Sequence, residues 1–350
     1  MIPDSLKVLM VYYSHPLPDN RIKTLASFKK LTKEVKVIFT FNEGYQRNLK
    51  DKVLTKLRLT NDPCSINQRT KQTVLSFKPD MVFFVKGINI KASTIKWIKQ
   101  QGVKTVFWSN DDMWGKHNRS YWFNQAAKHY DLVVSQKSYN CNPDELPSLG
   151  VKKLLFQNKA YDPGIHYPIV NPPEQLKHDV LFIGTYEAER YNSLLYLAEN
   201  GITVHIYGWA KAMTDTHSNL VFHNTHLYGD DYASAFSAAK ICLNFLRKLN
   251  RDRQTSRSIE IPACKGFMLA ERTDEHSGLF EEGQEAEFFS DDKELLHKVN
   301  YYLQDDKERE LIRKRGYERC ISQGYTFDNR IHEIINTCYK VNKVETCNNH

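Results

Sequence analysis

RDRQTSRSIEIPACKGFMLA, from Arg251 to Ala270, reads as a loop, a short helix and a strand. Thr255 or Ser256 is placed to cap the helix, Gly266 to end it in the left-handed conformation, and FMLA is an apolar strand run. A helix start presents amides and partial positive charge, and Arg251, Arg253 and Arg257 crowd this one, a pattern suited to an anion such as a diphosphate. Glu260 follows one turn in, where a carboxylate can accept hydrogen bonds from a ribose diol. The plain alternative is a capped surface helix whose charges only solvate it.

Outward from this stretch, apolar strand runs alternate with helical patterns in both directions. Upstream lie DVLFIG (Asp179 to Gly184), a helix from Glu187 to Asn200, ITVHIYG (Ile202 to Gly208), a strand near Leu220 to Phe222, a helix from Asp230 to Ala239 and KICLNFL (Lys240 to Leu246). Downstream, AEFF (Ala286 to Phe289) precedes three helical patterns at Asp291 to Gln304, Lys307 to Ser322 and Phe327 to Tyr339. The same alternation fills the first half: KVLMVYY (Lys7 to Tyr13), VKVIFTF (Val35 to Phe41), MVFFV (Met81 to Val85), TVFWS (Thr105 to Ser109), DLVVS (Asp131 to Ser135) and KLLFQ (Lys153 to Gln157). Such alternation implies parallel sheets covered on both faces.

Between the halves, Ala160 to Lys177 carries four prolines and one glycine without a periodic apolar face, so it reads as a linker. The expected organisation is α/β: a doubly wound domain over residues 1–158, a linker at 159–177, a second such domain at 178–325, and a C-terminal helix at 326–350 that lies across the junction and ends in a frayed tail, VNKVETCNNH.

Composition limits what such a chain does. With 350 residues, 41% hydrophobic and 26% charged, it is globular, and the net charge of +8 is spread along the chain. That suits anionic small ligands or loose contact with an acidic membrane surface, and no stripe marks a nucleic-acid partner. No segment has the length and apolarity of a membrane span, and the region after Met1 lacks a signal-peptide core, so the expected place is the cytosol or the inner face of the membrane. Seven cysteines without a Cys-x-x-Cys pair indicate buried thiols rather than disulfides or zinc.

In open α/β sheets ligands bind beyond the carboxyl ends of the strands. Four places qualify: Ser14 and His15 after the first strand, Asn110 to Asp112 after TVFWS, Gly184 to Arg190 after DVLFI, and the Arg251 stretch. His15 reads as a loop histidine or a base. Asp111 and Asp112 read as turn caps or as groups that orient a hydroxyl, and their adjacency argues against a metal. Arg190 reads as an anion ligand or a surface ion pair. The loop after the first strand has no glycine, which argues against a nicotinamide dinucleotide.

DVLFIGTYEAERYNSLLYLAENGITVHIYGW (Asp179 to Trp209), RSIEIPACKGFMLAE (Arg257 to Glu271), LFEEGQEAEFFSDDKELLHKVNYYLQDD (Leu279 to Asp306) and RGYERC with YTFDNRI resemble the C-terminal half of the spore-maturation (CgeB-like) glycosyltransferases of the GT-B fold. SNDDMW, DLVVSQKS, Asp162-Pro163 and Tyr167-Pro168 are similar to that family's N-terminal half. The resemblance covers Phe83 to Ile331 and implies two facing Rossmann-like domains. It implies a nucleotide-diphosphate-sugar donor held by the second domain, a glycan or other acceptor held by the first, and no required metal or cofactor. The product would be a surface polysaccharide or another cell-envelope glycan.

The resemblance also implies roles. Glu260 matches the second of a glutamate pair and contacts ribose. Asp252 stands where the first glutamate would be, flanked by Arg251 and Arg253, and Lys265 occupies a position where the family has glycine. Arg190 matches the arginine that follows Gly184 in a Gly-x-x-x-x-x-Arg run and, with Arg253 and Arg257, is a candidate diphosphate ligand. An acceptor-side base would come from Asp111, Asp112 or His15. The rival readings are a nucleotide-sugar epimerase on the same fold and a non-catalytic nucleotide-sugar-binding protein.

Overall fold

Valine, isoleucine and aromatic runs become strands buried on both faces, and the amphipathic segments between them become the covering helices. The computed structural model describes residues 5–18, 22, 24–46, 48–56, 61–209 and 217–340. The chain forms two compact units, one comprising residues 1–158 with 327–350 and the other residues 159–326.

The first unit runs β1 (Lys7–Tyr12), α1 (Leu25–Leu31), β2 (Glu34–Phe39), α2 (Leu49–Lys56), α3 (Ile66–Phe77), β3 (Met81–Val85), α4 (Ala92–Gln100), β4 (Lys104–Ser109), α5 (Tyr121–Ala126), β5 (Leu132–Ser135) and β6 (Leu154–Phe156). Its six strands lie in the order β2-β1-β3-β4-β5-β6, each ladder parallel. Leu9, Val11, Val82, Phe84, Phe107 and Val133 turn to one face, packed with Ile66 and Val74 of α3, Ile95 and Ile98 of α4 and Phe123 of α5.

The second unit runs β7 (Val180–Ile183), α6 (Ala188–Glu199), β8 (Val204–Tyr207), β9 (Leu220–Phe222), α7 (Gly229–Ala238), β10 (Ile241–Asn244), α8 (Arg257–Ala263), β11 (Met268–Glu271), α9 (Asp274–Leu279), β12 (Glu287–Phe289), α10 (Asp292–Gln304) and α11 (Asp306–Ser322). Its sheet order is β12-β11-β10-β7-β8-β9, again all parallel. One face packs Phe182, Ile206 and Leu243 with Leu194 and Leu197 of α6 and Leu295 and Val299 of α10. The other packs Leu181, Cys242 and Met268 with Phe236 of α7, Ile259 and Ile261 of α8 and Cys320 of α11. Here the order reverses between β7 and β10, the switch point at which such sheets take their ligands.

The last helix, α12 (Phe327–Tyr339), returns to the first unit. Ile331, Ile334, Ile335 and Cys338 join Val8, Met10, Phe83, Val106 and Leu132 on the sheet face shared with Phe28 of α1. Residues 341–350, the expected frayed tail, lie outside the described residues.

Two expectations change. The proline-rich segment does not stand free as a linker, because residues 159–177 are part of the second unit. The Tyr161 amide donates to the Tyr325 carbonyl at 3.0 Å, the Ile169 amide to Ser237 Oγ at 3.0 Å, and Tyr161 and His166 are buried. The helix α8 ends differently too. Lys265, not Gly266, takes the left-handed conformation, with φ of +57°. Its amide donates to the Pro262 carbonyl at 2.8 Å and that of Gly266 to Ile261 at 2.9 Å, the paired bonds of a Schellman motif. Glycine at 266 answers crowding instead, since a Cβ there would meet the Phe236 carbonyl oxygen at 2.9 Å.

Candidate functional site

The Arg251 stretch is anchored from below by a chain of hydrogen bonds whose directions can be worked out. His276, wholly buried at the start of α9, has Nδ1 2.6 Å from the Glu271 carbonyl oxygen, which only accepts, so the proton is on Nδ1. Burial pulls its pKa down to about 4, so the ring is neutral and Nε2 accepts from the Ser258 hydroxyl at 2.7 Å. Ser258 Oγ in turn accepts from the Thr255 amide at 2.9 Å and from Asn244 Nδ2 at 3.0 Å, while Thr255 Oγ1 donates to Asn244 Oδ1 at 2.9 Å. This network ties the end of β10, the turn before α8 and α9 together. It also corrects the expected cap: Thr255 is turned to Asn244, and the Ser256 side chain makes no capping bond.

Glu260 points inward and is 2% exposed. Tyr232 of α7 donates to its Oε2 at 2.7 Å, and burial followed by the Glu260 charge pushes the Tyr232 hydroxyl well above its ordinary pKa. His166, from the segment expected to be a linker, brings Nε2 to 3.6 Å from Glu260 Oε1. Sequence reasoning missed both partners. Nothing local signals Tyr232, and His166 lay in a stretch read as connecting chain.

Arg190 enters from the first turn of α6 and is 2% exposed. Its Nε donates to the Leu246 carbonyl at 3.3 Å, Nη1 to the Thr185 carbonyl at 3.0 Å and Nη2 to the Phe245 carbonyl at 3.2 Å. It therefore laces the loop after β7 to the loop after β10, across the switch point of the sheet. Burial first, then Glu187 in the opposite sense and the charges of Arg257 and Arg247, act on its pKa, and the net direction is downward. Three guanidiniums thus share one region. Arg247 is held by Glu187 at 2.8 Å. Arg257 is half-buried, and its Nε is buried without a hydrogen-bond partner among the described residues.

Gly184 closes β7, its amide donating to the Tyr207 carbonyl at 3.0 Å, and Gly208 approaches so closely that a Cβ there would meet the Gly184 oxygen at 2.9 Å. Asp252 accepts from Asn250 Nδ2 at 2.8 Å, and its amide donates to the Arg247 carbonyl at 3.1 Å. Arg253 is exposed, and its carbonyl accepts from Thr273 Oγ1 at 2.6 Å.

In the first unit the two adjacent aspartates separate. Asp112 is 1% exposed, and its Oδ1 accepts from the Trp114 amide at 3.0 Å, the Gly115 amide at 3.1 Å and Asn140 Nδ2 at 2.8 Å. That is the turn cap of the plain reading, and it corrects the expectation of a hydroxyl-orienting group at this position. Asp111 is partly exposed and pairs with Lys86, which follows β3. His15 is exposed, with Nδ1 3.2 Å from the Asn42 carbonyl and its ring stacked 5.2 Å from Phe41.

Residues 190–336 match the family model described as glycosyl transferase-like. No curated protein matches the sequence. Among solved structures, HepE of Anabaena in complex with UDP and glucose aligns with a TM-score of 0.65 at 12% identity over 95% of this chain and 100% of that one. A glycosyltransferase from Rickettsia africae aligns at 0.64 and 10% identity over 97% and 100% of the two chains. Sucrose-phosphate synthase from Thermosynechococcus elongatus aligns at 0.64 and 10% identity over 95% and 99%. The shared architecture is the GT-B fold, and the stretch from 190 to 336 is glycosyl transferase-like in sequence.

Proposed function

We propose that this GT-B chain is a glycosyltransferase that takes a sugar from a nucleoside-diphosphate sugar held by its second unit and passes it to a glycan acceptor held by its first. The observation that carries the donor assignment is the Arg190, Arg247 and Arg257 group, of which Arg257 lies about one turn before Glu260 on α8, with a buried Arg257 Nε–H that has no partner among the described residues. A leaving diphosphate gains charge as its bond to the sugar breaks, and guanidinium donors fixed in place stabilise that charge. Arg257 meets the diphosphate, and Arg190 holds the two loops around it. Glu260, fixed by Tyr232, accepts from the ribose.

On the acceptor side Asp111 is the base or the acceptor anchor, with Lys86 beside it. Sequence resemblance supports the spore-maturation subfamily and a cell-envelope glycan as product, made at the inner face of the membrane. Among the described residues no helix is long and apolar enough to cross a membrane.

Titration calorimetry with UDP, UMP and UDP-sugars tests the donor site, UDP being the ligand named for HepE. Binding of UDP well above UMP is expected, and equal affinity would overturn the diphosphate assignment. Product analysis with and without acceptor then separates transfer from epimerisation, which needs no acceptor, and from binding without turnover. Asp111→Asn is expected to keep donor affinity and to lose transfer by roughly a hundredfold, the scale of general acid–base catalysis. Asp112→Ala should instead cost about 0.5–2 kcal/mol of stability, as cap loss does, with the rate per folded molecule kept.

A further inference from the structure

A second cluster of chemistry-bearing side chains lies in the second unit, apart from the arginines. His178 precedes β7, His205 lies within β8 and His223 follows β9. The pairing of Leu181 with His205 sets this cluster on the sheet face that also carries Ile183 and Tyr207. Each histidine offers one ring nitrogen, and these atoms all lie within 4.8 Å of one another. Among the described residues no other group of three or more histidine, cysteine or carboxylate side chains is placed to hold a metal ion.

The contacts within the cluster are short. His205 Nδ1 is 3.0 Å from His223 Nε2, so one proton lies between two nitrogens. His178 Nε2 is 3.0 Å from the Tyr207 hydroxyl. The His178 and His205 rings stack at 3.8 Å, and the Tyr207 and His223 rings at 4.0 Å. Burial lowers the pKa of all three histidines, and by geometry each ring offers one nitrogen to the cluster.

Three neutral imidazoles are the protein half of a tetrahedral site. Zinc bonds imidazole nitrogen at about 2.0–2.1 Å, and in a tetrahedron this separates the nitrogens by roughly 3.3 Å. The His205–His223 pair already stands near that spacing, and a turn of the His178 ring closes the third side. Metal entry requires no ionisation: the ring that donates across the 3.0 Å contact moves its proton to its far nitrogen and turns a lone pair inward. The Tyr207 hydroxyl, now 3.0 Å from His178 Nε2, is the polar group beside the cluster that can orient a ligand ring, as outer partners of metal-ligating histidines do.

We propose that His178, His205 and His223 bind one divalent transition-metal ion, zinc by preference, which clips the chain entering β7 to β8 and to the end of β9. The ion is structural: it crosslinks three sheet segments, and the proposal is independent of the transferase reading.

The test uses the full chain without an affinity tag, stripped with a chelator and titrated with Zn²⁺ against a chromophoric competitor, with Co²⁺ as a spectroscopic probe. Expected are one equivalent of tight binding, a Co²⁺ visible spectrum of tetrahedral nitrogen coordination without a thiolate charge-transfer band, and a rise in melting temperature with Zn²⁺. His205→Ala and His223→Ala should each weaken binding by roughly a hundredfold or more, beyond the 10–100-fold that losing an outer partner costs. Both should abolish the thermal shift while leaving the far-ultraviolet circular dichroism unchanged. His178→Gln serves as a third variant should either alanine variant fail to fold. Absence of stoichiometric binding, a thiolate band, or full affinity in folded variants would overturn the site.

Discussion

Arg190 and Arg257 carry the same charge and lie within each other's field, yet their surroundings give them different work. Arg190 donates to three main-chain carbonyls, so Arg190→Lys is expected to lower the melting temperature, because an ammonium cannot reproduce the planar fork. Arg257→Lys is expected to leave the melting temperature alone and to weaken UDP binding in calorimetry. The reverse pattern would exchange their roles. Glu260→Ala should weaken donor binding by roughly 1.5–3 kcal/mol, the range for a hydrogen bond to a charged group; unchanged affinity in the folded variant would remove Glu260 from the ribose. The residue types of this site were legible in the sequence because arginines and a glutamate cluster beside one helix start. Their directions were not, since a fork turned into carbonyls and a half-buried fork with an unpartnered Nε have the same spelling.

At the scale of elements, α8 carries a local conflict. Lys265 is held at φ +57°, where a side chain costs about 1–2 kcal/mol and glycine costs little. Lys265→Gly is therefore expected to raise stability by about 1 kcal/mol in urea denaturation; a loss would mean that the lysine side chain makes a contact worth more than the strain. The strands were easy to read because parallel strands buried on both faces are nearly continuous apolar runs, as in MVFFV. The helix α9, DEHSGL, was not, being six residues without apolar period and set by the Thr273 cap and the burial of His276. The segment from Ala160 to Lys177 misled for a related reason: prolines advertise irregular backbone, but irregular backbone can still be packed. The trihistidine cluster also escaped notice, because its members come from β8, the residue stretch just before β7 and the end of β9, and meet only after the sheet forms.

At the scale of the whole molecule, His276 makes stability depend on pH. Its folded pKa of about 4 lies below the ordinary 6.5, so the unfolded chain binds the extra proton. The contribution is complete above pH 6.5 and is lost as pH falls toward 4, amounting to about 2 kcal/mol by pH 5. Urea midpoints at pH 7.5 and 5 should show that loss added to those from the lowered His178, His205 and His223, and His276→Asn should reduce the total by about 2 kcal/mol. Deleting residues 327–350 is expected to uncover the first sheet where Ile331, Ile334 and Ile335 pack, and hydrogen exchange should report loosened protection in β1, β3 and β4 with the second unit unchanged. The return of α12 to the first unit also orders events during synthesis. The second unit is one continuous stretch and can close while the chain is still tethered to the ribosome, whereas the first waits for its last helix. At about 5–20 residues per second its sheet stays uncovered for roughly 10–40 s after Asn158 is made. The half of the molecule that is translated first is the half that finishes folding last, and that interval is when a chaperone would find its apolar face.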